Sequence, residues 1–125
     1  AASLEAGERV VGANMVDSVV IPRVHPQVVQ AINLSTTPEG VNAVGVMEFY
    51  SITAAVYAAD AAVKAADVTL IDVRLGIGIG GKSFAVLTGD VAAVKCGMAA
   101  GTEKGLALSS VVIPSPREEI FAALL

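Results

Sequence analysis

Apolar and polar positions succeed one another along the chain in short blocks whose periods alternate between those of strand and helix. Residues 43–49, AVGVMEF, read as a strand. Residues 51–66, SITAAVYAADAAVKAA, read as a helix with Ser51 as its N-cap. Ile52, Val56, Ala59 and Val63 share one face of that helix at helical spacing. Asp60 and Lys64 form an i,i+4 pair elsewhere on it, worth only a few tenths of a kcal/mol when exposed. Residues 68–75, VTLIDVRL, alternate and are β-branched, so they predict a strand. The glycine-rich turn 76–82, GIGIGGK, then leads into a strand at 83–88. Gly89 and Asp90 open a helix reaching about Gly101, with Asp90 as N-cap, and 106–113 form the last strand. Ser115, Pro116 and Glu118 read as a capping box with Pro at N1, opening a short terminal helix. The order β-α-β-β-α-β-α predicts an α+β sandwich, a mostly antiparallel four-stranded sheet with helices on one face.

An internal repeat changes the picture of the N-terminal part. Residues 16–32 read VDSVVIPRVHPQVVQAI and residues 108–124 read LSSVVIPSPREEIFAAL. Both carry SVVIP, a polar turn and a short apolar tail of helical character. Upstream, EAGER at 5–9 loosely matches AAGTEK at 99–104. Residues 1–32 therefore read as the C-terminal fragment of a first repeat, supplying its last helix turn, its last strand and its tail. Residues 33–42, NLSTTPEGVN, are polar and contain Pro38 and Gly40, which is linker chemistry. Residues 43–125 read as one complete repeat. With the rest of the first repeat missing, residues 10–21 are expected to present an unpaired apolar strand edge, a liability that must be covered.

Composition sharpens the expectation about partners. The 125 residues are 54% apolar and only 16% charged, and the mean hydropathy is +0.70. No uninterrupted apolar run approaches the roughly 18–20 residues of a membrane span, because Asp60, Lys64, Asp67, Asp72, Arg74 and Lys82 break every long one. Apolar surface in excess of one small core is usually hidden by self-association, so an obligate homo-oligomer is expected. The net charge of −4 and the absence of Trp argue against a nucleic-acid partner. One cysteine, Cys96, excludes an internal disulfide framework and a multi-cysteine metal cage within one chain. The opening AASLEAGERV lacks a basic flank followed by an apolar segment, so it does not read as a secretory signal.

Residues 76–83 satisfy the phosphate-loop pattern Gly-x4-Gly-Lys-Ser letter for letter. Such a loop works only if a helix starts at its Lys-Ser, supplying N–H groups and a positive dipole end. Here Phe84–Thr88 reads as a strand, so nucleotide binding is a minor alternative. The four glycines fit either a hairpin needing positive φ or a place where identical loops meet at a symmetry axis and backbone N–H groups line a hole. His25 reads as a turn or helix-cap residue, Cys96 as a buried inert thiol, and Glu48 as facing solvent or a subunit contact. Glu118 and Glu119 belong to a helix cap. No nucleophile–base set or carboxylate pair stands out, so no catalytic residue is assigned.

GVMEF, the helix containing DAAVKAADV, the glycine hairpin, LTGDVAAVK and SVVIP, taken in this order, resemble the bacterial microcompartment shell-protein domain over essentially all of 42–125. SVVIPRVH at 18–25 resembles the end of the same domain, and two such ends in one chain resemble the tandem-domain, trimer-forming shell proteins of the propanediol-utilisation type. The resemblance implies a structural, non-enzymatic protein of a cytoplasmic microcompartment shell. Chains would associate as trimers (pseudohexamers) or hexamers into tiles that contact neighbouring tiles, with a complementary fragment of the first domain as a further partner. It implies that Gly78, Ile79, Gly80, Gly81 and Lys82 line a central pore for small metabolites, with Lys82 favouring anionic or polar solutes if it points inward. It further implies that Lys64 and Arg23 make tile-edge contacts, Ser115 standing where the complete repeat would carry the basic residue. Some relatives hold an iron–sulfur cluster through a cysteine of the first domain's loop. That loop is absent, and Ile79 stands at the equivalent place of the second copy, so no cofactor and no metal site is expected. A pore-centred electron or metal-cofactor conduit is the alternative within the same architecture.

Overall fold

The computed structural model describes residues 1–33, 42–76 and 80–124. The expected linker thus falls almost wholly outside the described residues. In chain order the elements are α1 (Ala2–Val11), α2 (Pro26–Ile32), β1 (Ala43–Phe49), α3 (Ile52–Ala65), β2 (Thr69–Leu75), β3 (Ser83–Gly89), α4 (Val91–Gly105), β4 (Ser109–Pro114) and α5 (Glu118–Leu124), with a 3-10 turn at Gly12–Asn14. From β1 onward this is the predicted β-α-β-β-α-β-α order. The strands form one sheet in the order β2-β3-β1-β4, every pair antiparallel.

Alternation fixes which way β1 faces. Ala43, Gly45, Met47 and Phe49 point to the helices and are buried, while Val46 and Glu48 on the other face are half-buried. Opposite Met47 and Gly45 lie Ala85 and Leu87 of β3, and Leu70 and Val73 of β2 complete the apolar floor. Fully burying side chains such as Phe49, Met47, Leu70 and Leu87 contributes roughly 1.5–3 kcal/mol each.

The helix layer is built on closeness rather than bulk. The buried face of α3 is Ala55, Ala58, Ala59, Asp60, Ala62 and Val63. This corrects the predicted face, because Ile52 is exposed and Val56 only half-buried. The reason lies on α4, where Gly97, Gly101 and Gly105 form the strip that meets α3. A Cβ on Gly101 would stand 2.8 Å from Met47 Sδ and 3.0 Å from the Ala58 carbonyl oxygen. Helices this close admit alanine between them and not isoleucine.

Other boundaries moved for local reasons. α4 continues to Gly105 and is stopped by Leu106 in the left-handed conformation, φ 51°, so β4 begins only at Ser109. The expected capping box does not form. Glu118 is the first helical residue of α5, and Ser115 is held at φ 48° with its N–H donated to the Asn42 carbonyl, 2.7 Å.

Residues 1–33 form an arm. The strand edge expected over residues 10–21 is not a strand within the single chain: 10–14 belong to α1 and the 3-10 turn, and residues 15–21 carry no ladder pairing. A strand exists only by its partner, and β1, its expected kind of partner, is already flanked by β3 and β4. α2 docks against β2 and α3 through buried Val28 and Ala31. Its Gln27 blunts the edge strand: Oε1 accepts from the Leu70 N–H at 2.9 Å, and Nε2 donates to the Val68 carbonyl at 3.5 Å.

Candidate pore rim and tile edge

Two sites lie at opposite ends of α3, roughly 20 Å apart at 1.5 Å per residue. At the N-terminal end, Ser51 caps the helix by accepting from the Ala54 N–H at 3.0 Å. Its carbonyl accepts from Ser83 Oγ at 2.7 Å, which ties down the start of β3, and its own hydroxyl donates to Asp17 Oδ2 at 2.7 Å. The glycine hairpin is therefore anchored where it enters β3. Gly80 and Gly81 are exposed and left-handed, φ 70° and 81°, a conformation that disfavours side chains. A Cβ on either would meet nothing within 4 Å, so their surroundings are open. Lys82 is half-exposed, with Nζ 3.7 Å from Glu48 Oε1. Its charge is therefore shared with an acid on β1, a weak solvent-screened pair. Gly78 and Ile79 lie outside the described residues. β3 begins at Ser83, so Lys82-Ser83 feeds a strand and presents no helix N-terminus to a phosphate.

At the C-terminal end, Lys64 Nζ contacts Asp60 Oδ2 at 2.5 Å and donates to the Pro22 carbonyl at 3.3 Å. Arg23 follows Pro22, is exposed and has φ 53°. The structure thus brings Lys64 and the Pro22–Arg23 turn together on one surface and keeps both away from Lys82. Asp60 is the residue whose role sequence reasoning misjudged. It is 3% exposed, and its Oδ1 accepts from the His25 N–H at 2.7 Å. The pair expected on an open face instead has its acid buried, and with the half-exposed Lys64 it clasps the arm to α3. His25 itself caps α2, its Nδ1 accepting from the Gln27 N–H at 3.3 Å, as its sequence setting indicates. Cys96 is exposed, which corrects its reading as a buried thiol. Its Sγ donates to the Ala65 carbonyl at the end of α3, 3.8 Å.

Asp72 breaks an apolar run in the sequence. It sits on β2 at 1% exposure, beside a register irregularity between Leu70 and Asp72. Arg74 Nη2 approaches its Oδ2 at 2.8 Å, yet neither carboxylate oxygen has a hydrogen-bond partner of sound geometry among the described residues. Burial pushes its pKa above the ordinary value, with Arg74 opposing but not overcoming the shift. The Arg74 guanidinium also lies 5.3 Å from the centroid of the Phe84 ring.

The sequence profile of the BMC domain matches residues 43–116, the stretch from β1 to just past β4. The chain belongs to the BMC domain family. Relatives extend the likeness to the arm. The bacterial microcompartment shell protein PduT of Citrobacter freundii is 39% identical over 123 residues, which is 95% of this chain and 67% of that protein. The carboxysome shell protein CcmK1 of Thermosynechococcus vestitus is 40% identical over 85 residues, 62% of this chain and 73% of that one. Among solved structures, a microcompartment protein from Desulfitobacterium hafniense superposes with a TM-score of 0.82 at 42% identity, covering 96% of this chain and 69% of that one. The α+β BMC fold read from the sequence is thus the fold observed, and the relatives place this BMC chain among shell proteins of bacterial microcompartments. No helix among the described residues is long and apolar enough to cross a membrane.

Proposed function

We propose that this BMC chain is a structural, non-catalytic building block that oligomerises as a trimer (pseudohexamer) or hexamer into a tile of a cytoplasmic microcompartment shell, with a central pore for small metabolites. The pore reading rests on one observation above others: Gly80 and Gly81 are exposed and left-handed, and a Cβ added to either would meet nothing within 4 Å. Such a loop leaves room for identical loops to converge about an axis, where side chains would collide. Gly78 and Ile79 complete the pore lining in this reading. The Lys82–Glu48 pair supports a rim of mixed charge, which favours small polar solutes over strong selection for anions.

Lys64 and Arg23 serve as edge residues facing neighbouring tiles. Their side chains share one exposed surface, remote from the hairpin. Residues 1–32 are the end of a preceding repeat and 43–125 a complete one. This division is supported by the correspondence of α2 with α5: the register that carries Pro22 onto Pro114 carries Pro26–Ile32 onto Glu118–Leu124. Mass measurement in solution tests the tile. A trimer or hexamer equivalent is expected, and a stable monodisperse monomer overturns the reading.

A further inference from the structure

His25 is the only histidine of the chain, and histidine is the side chain whose ordinary titration falls between pH 5 and 8. We propose that His25 is a pH-sensitive catch. Neutral, it holds the first turn of α2 on the body of the fold; protonated, it lets α2 and the Pro22–Arg23 turn come away. Every contact involved lies within one chain, so the catch operates whether or not the chain forms tiles.

Three hydrogen bonds converge on His25. Its N–H donates to Asp60 Oδ1 at 2.7 Å, and its carbonyl accepts from the Val28 N–H at 3.0 Å. Its Nδ1 accepts from the Gln27 N–H at 3.3 Å, which caps α2. Only the third bond depends on the charge of the ring, because it needs a lone pair on Nδ1. The imidazolium has none, since both ring nitrogens then carry hydrogen. Protonation therefore sets Nδ1–H against the Gln27 N–H, and the ring must turn away. Loss of a side-chain cap weakens the helix it opens, and α2, with seven residues, is far too short to persist by propensity alone. Gln27 is also the residue whose carboxamide covers the edge of β2, through the Leu70 N–H and the Val68 carbonyl. One proton on His25 thus acts on the turn that joins α2 to the sheet, with Val28 and Ala31 buried behind it.

The surroundings do not compensate for an added positive charge. His25 is half-buried, within reach of protons from water. α3 presents Asp60 and Lys64 to it, and the Asp60 carboxylate is already shared between the His25 N–H and Lys64 Nζ. Arg23, two residues before His25, is a further exposed cation. β2 brings Asp72 and Arg74, which pair with each other, and Asp67, in the turn before β2, is exposed and screened by water. The docked arm holds the neutral ring and the released arm takes up a proton. Release is therefore favoured as pH falls through the histidine range, and docking is restored as it rises.

The test follows amide exchange at residues 27–32 of the full chain at pH 8 and pH 5, corrected for the intrinsic exchange rate, in the parent and in His25→Asn. Asparagine is among the best helix caps and does not titrate. Protection in the parent should fall by about fivefold or more between pH 8 and pH 5, whereas His25→Asn should stay within about twofold. Both proteins carry Asp60 and Asp72, so titration of those carboxylates cancels between them. His25→Ala should show the low protection at both pH values. Amides of β1 and β3 should stay protected throughout, which separates release of the arm from unfolding. Four results overturn the proposal: parent protection that does not change with pH, an equal fall in His25→Asn, a parent better protected at pH 5, or loss of β1 and β3 protection together with α2.

Discussion

Arg23 and Ser115 share a strained backbone: each follows a Val-Ile-Pro, and each is a non-glycine residue in the left-handed region, φ 53° and 48°. Side chains in that region cost roughly 1–2 kcal/mol, so two occurrences at the same step of a five-residue identity mark one turn used twice. Beyond each turn the chain re-enters a seven-residue helix, α2 after one and α5 after the other. Chance identity of SVVIP carries no such requirement on the residue that follows.

Relieving that strain should stabilise the fold. Ser115→Gly is expected to raise the unfolding free energy read from urea titration by up to about 1 kcal/mol, the left-handed cost removed less the added flexibility of the unfolded chain. Ser115→Val should lower it by about 1 kcal/mol or more, since a β-branched residue tolerates this conformation poorly. If both variants melt as the parent does, the turn is not strained.

The two helix glycines predict opposite behaviour for one substitution. Gly101→Ala forces a methyl into Met47 and the Ala58 backbone and should cost about 1–3 kcal/mol. Gly7→Ala, in open space on α1, should be neutral or add up to about 1 kcal/mol through helix propensity. Equal effects in chemical denaturation would mean that α4 is not packed as closely on α3 as its glycine strip requires.

Much of this was legible in the sequence because it depends on local period. Alternation in 43–49 and 68–75 and the turn glycines before Lys82 fix the strands, and Ser51 fixes the start of α3. What was not legible depends on who lies opposite. Ile52 and Val56 share the helical period with Ala59 and Val63, and only the glycine strip of α4 selects the alanine face instead. Asp60 at i,i+4 to Lys64 reads the same whether solvent or the His25 amide sits beside it. Residues 16–21 have a strand's composition without a strand's partner. The pore lining was legible only as glycine content, and Lys82 gave no sign that Glu48, far off in sequence, would take up its charge.

Asp60 and Lys64 should separate stability from assembly. Asp60→Ala removes the acceptor of the His25 N–H and the counter-ion of Lys64 from a buried site, and should cost about 1.5–3 kcal/mol. Limited proteolysis should then cut within 12–25 first, because the arm has lost its clasp. Lys64 is 39% exposed, so Lys64→Ala should cost less than about 1 kcal/mol yet weaken the two-dimensional sheets seen by electron microscopy while single tiles persist. Unchanged sheets would remove Lys64 from the tile edge.

Asp72 predicts a pH dependence whose sign follows from its burial. Its folded-state pKa lies above the ordinary carboxylate value of 3.8 because desolvation outweighs the attraction of Arg74. Between those two pKa values the folded chain binds more protons than the unfolded chain, so this group makes stability fall as pH rises through that window. Below the window the contribution is absent, since both states hold the proton. Asp72→Asn keeps the shape and removes the ionisation, and Arg74, 42% exposed, can turn its charge to water. The variant should therefore exceed the parent by on the order of 1 kcal/mol at pH 7, relieving a buried charge without a sound hydrogen-bond partner. The difference should shrink toward zero as the pH is lowered to about 3. Denaturant midpoints for both proteins across pH 3–8 measure this directly. A parent that is the more stable at pH 7 would mean that the Arg74 contact, and not desolvation, governs this carboxylate.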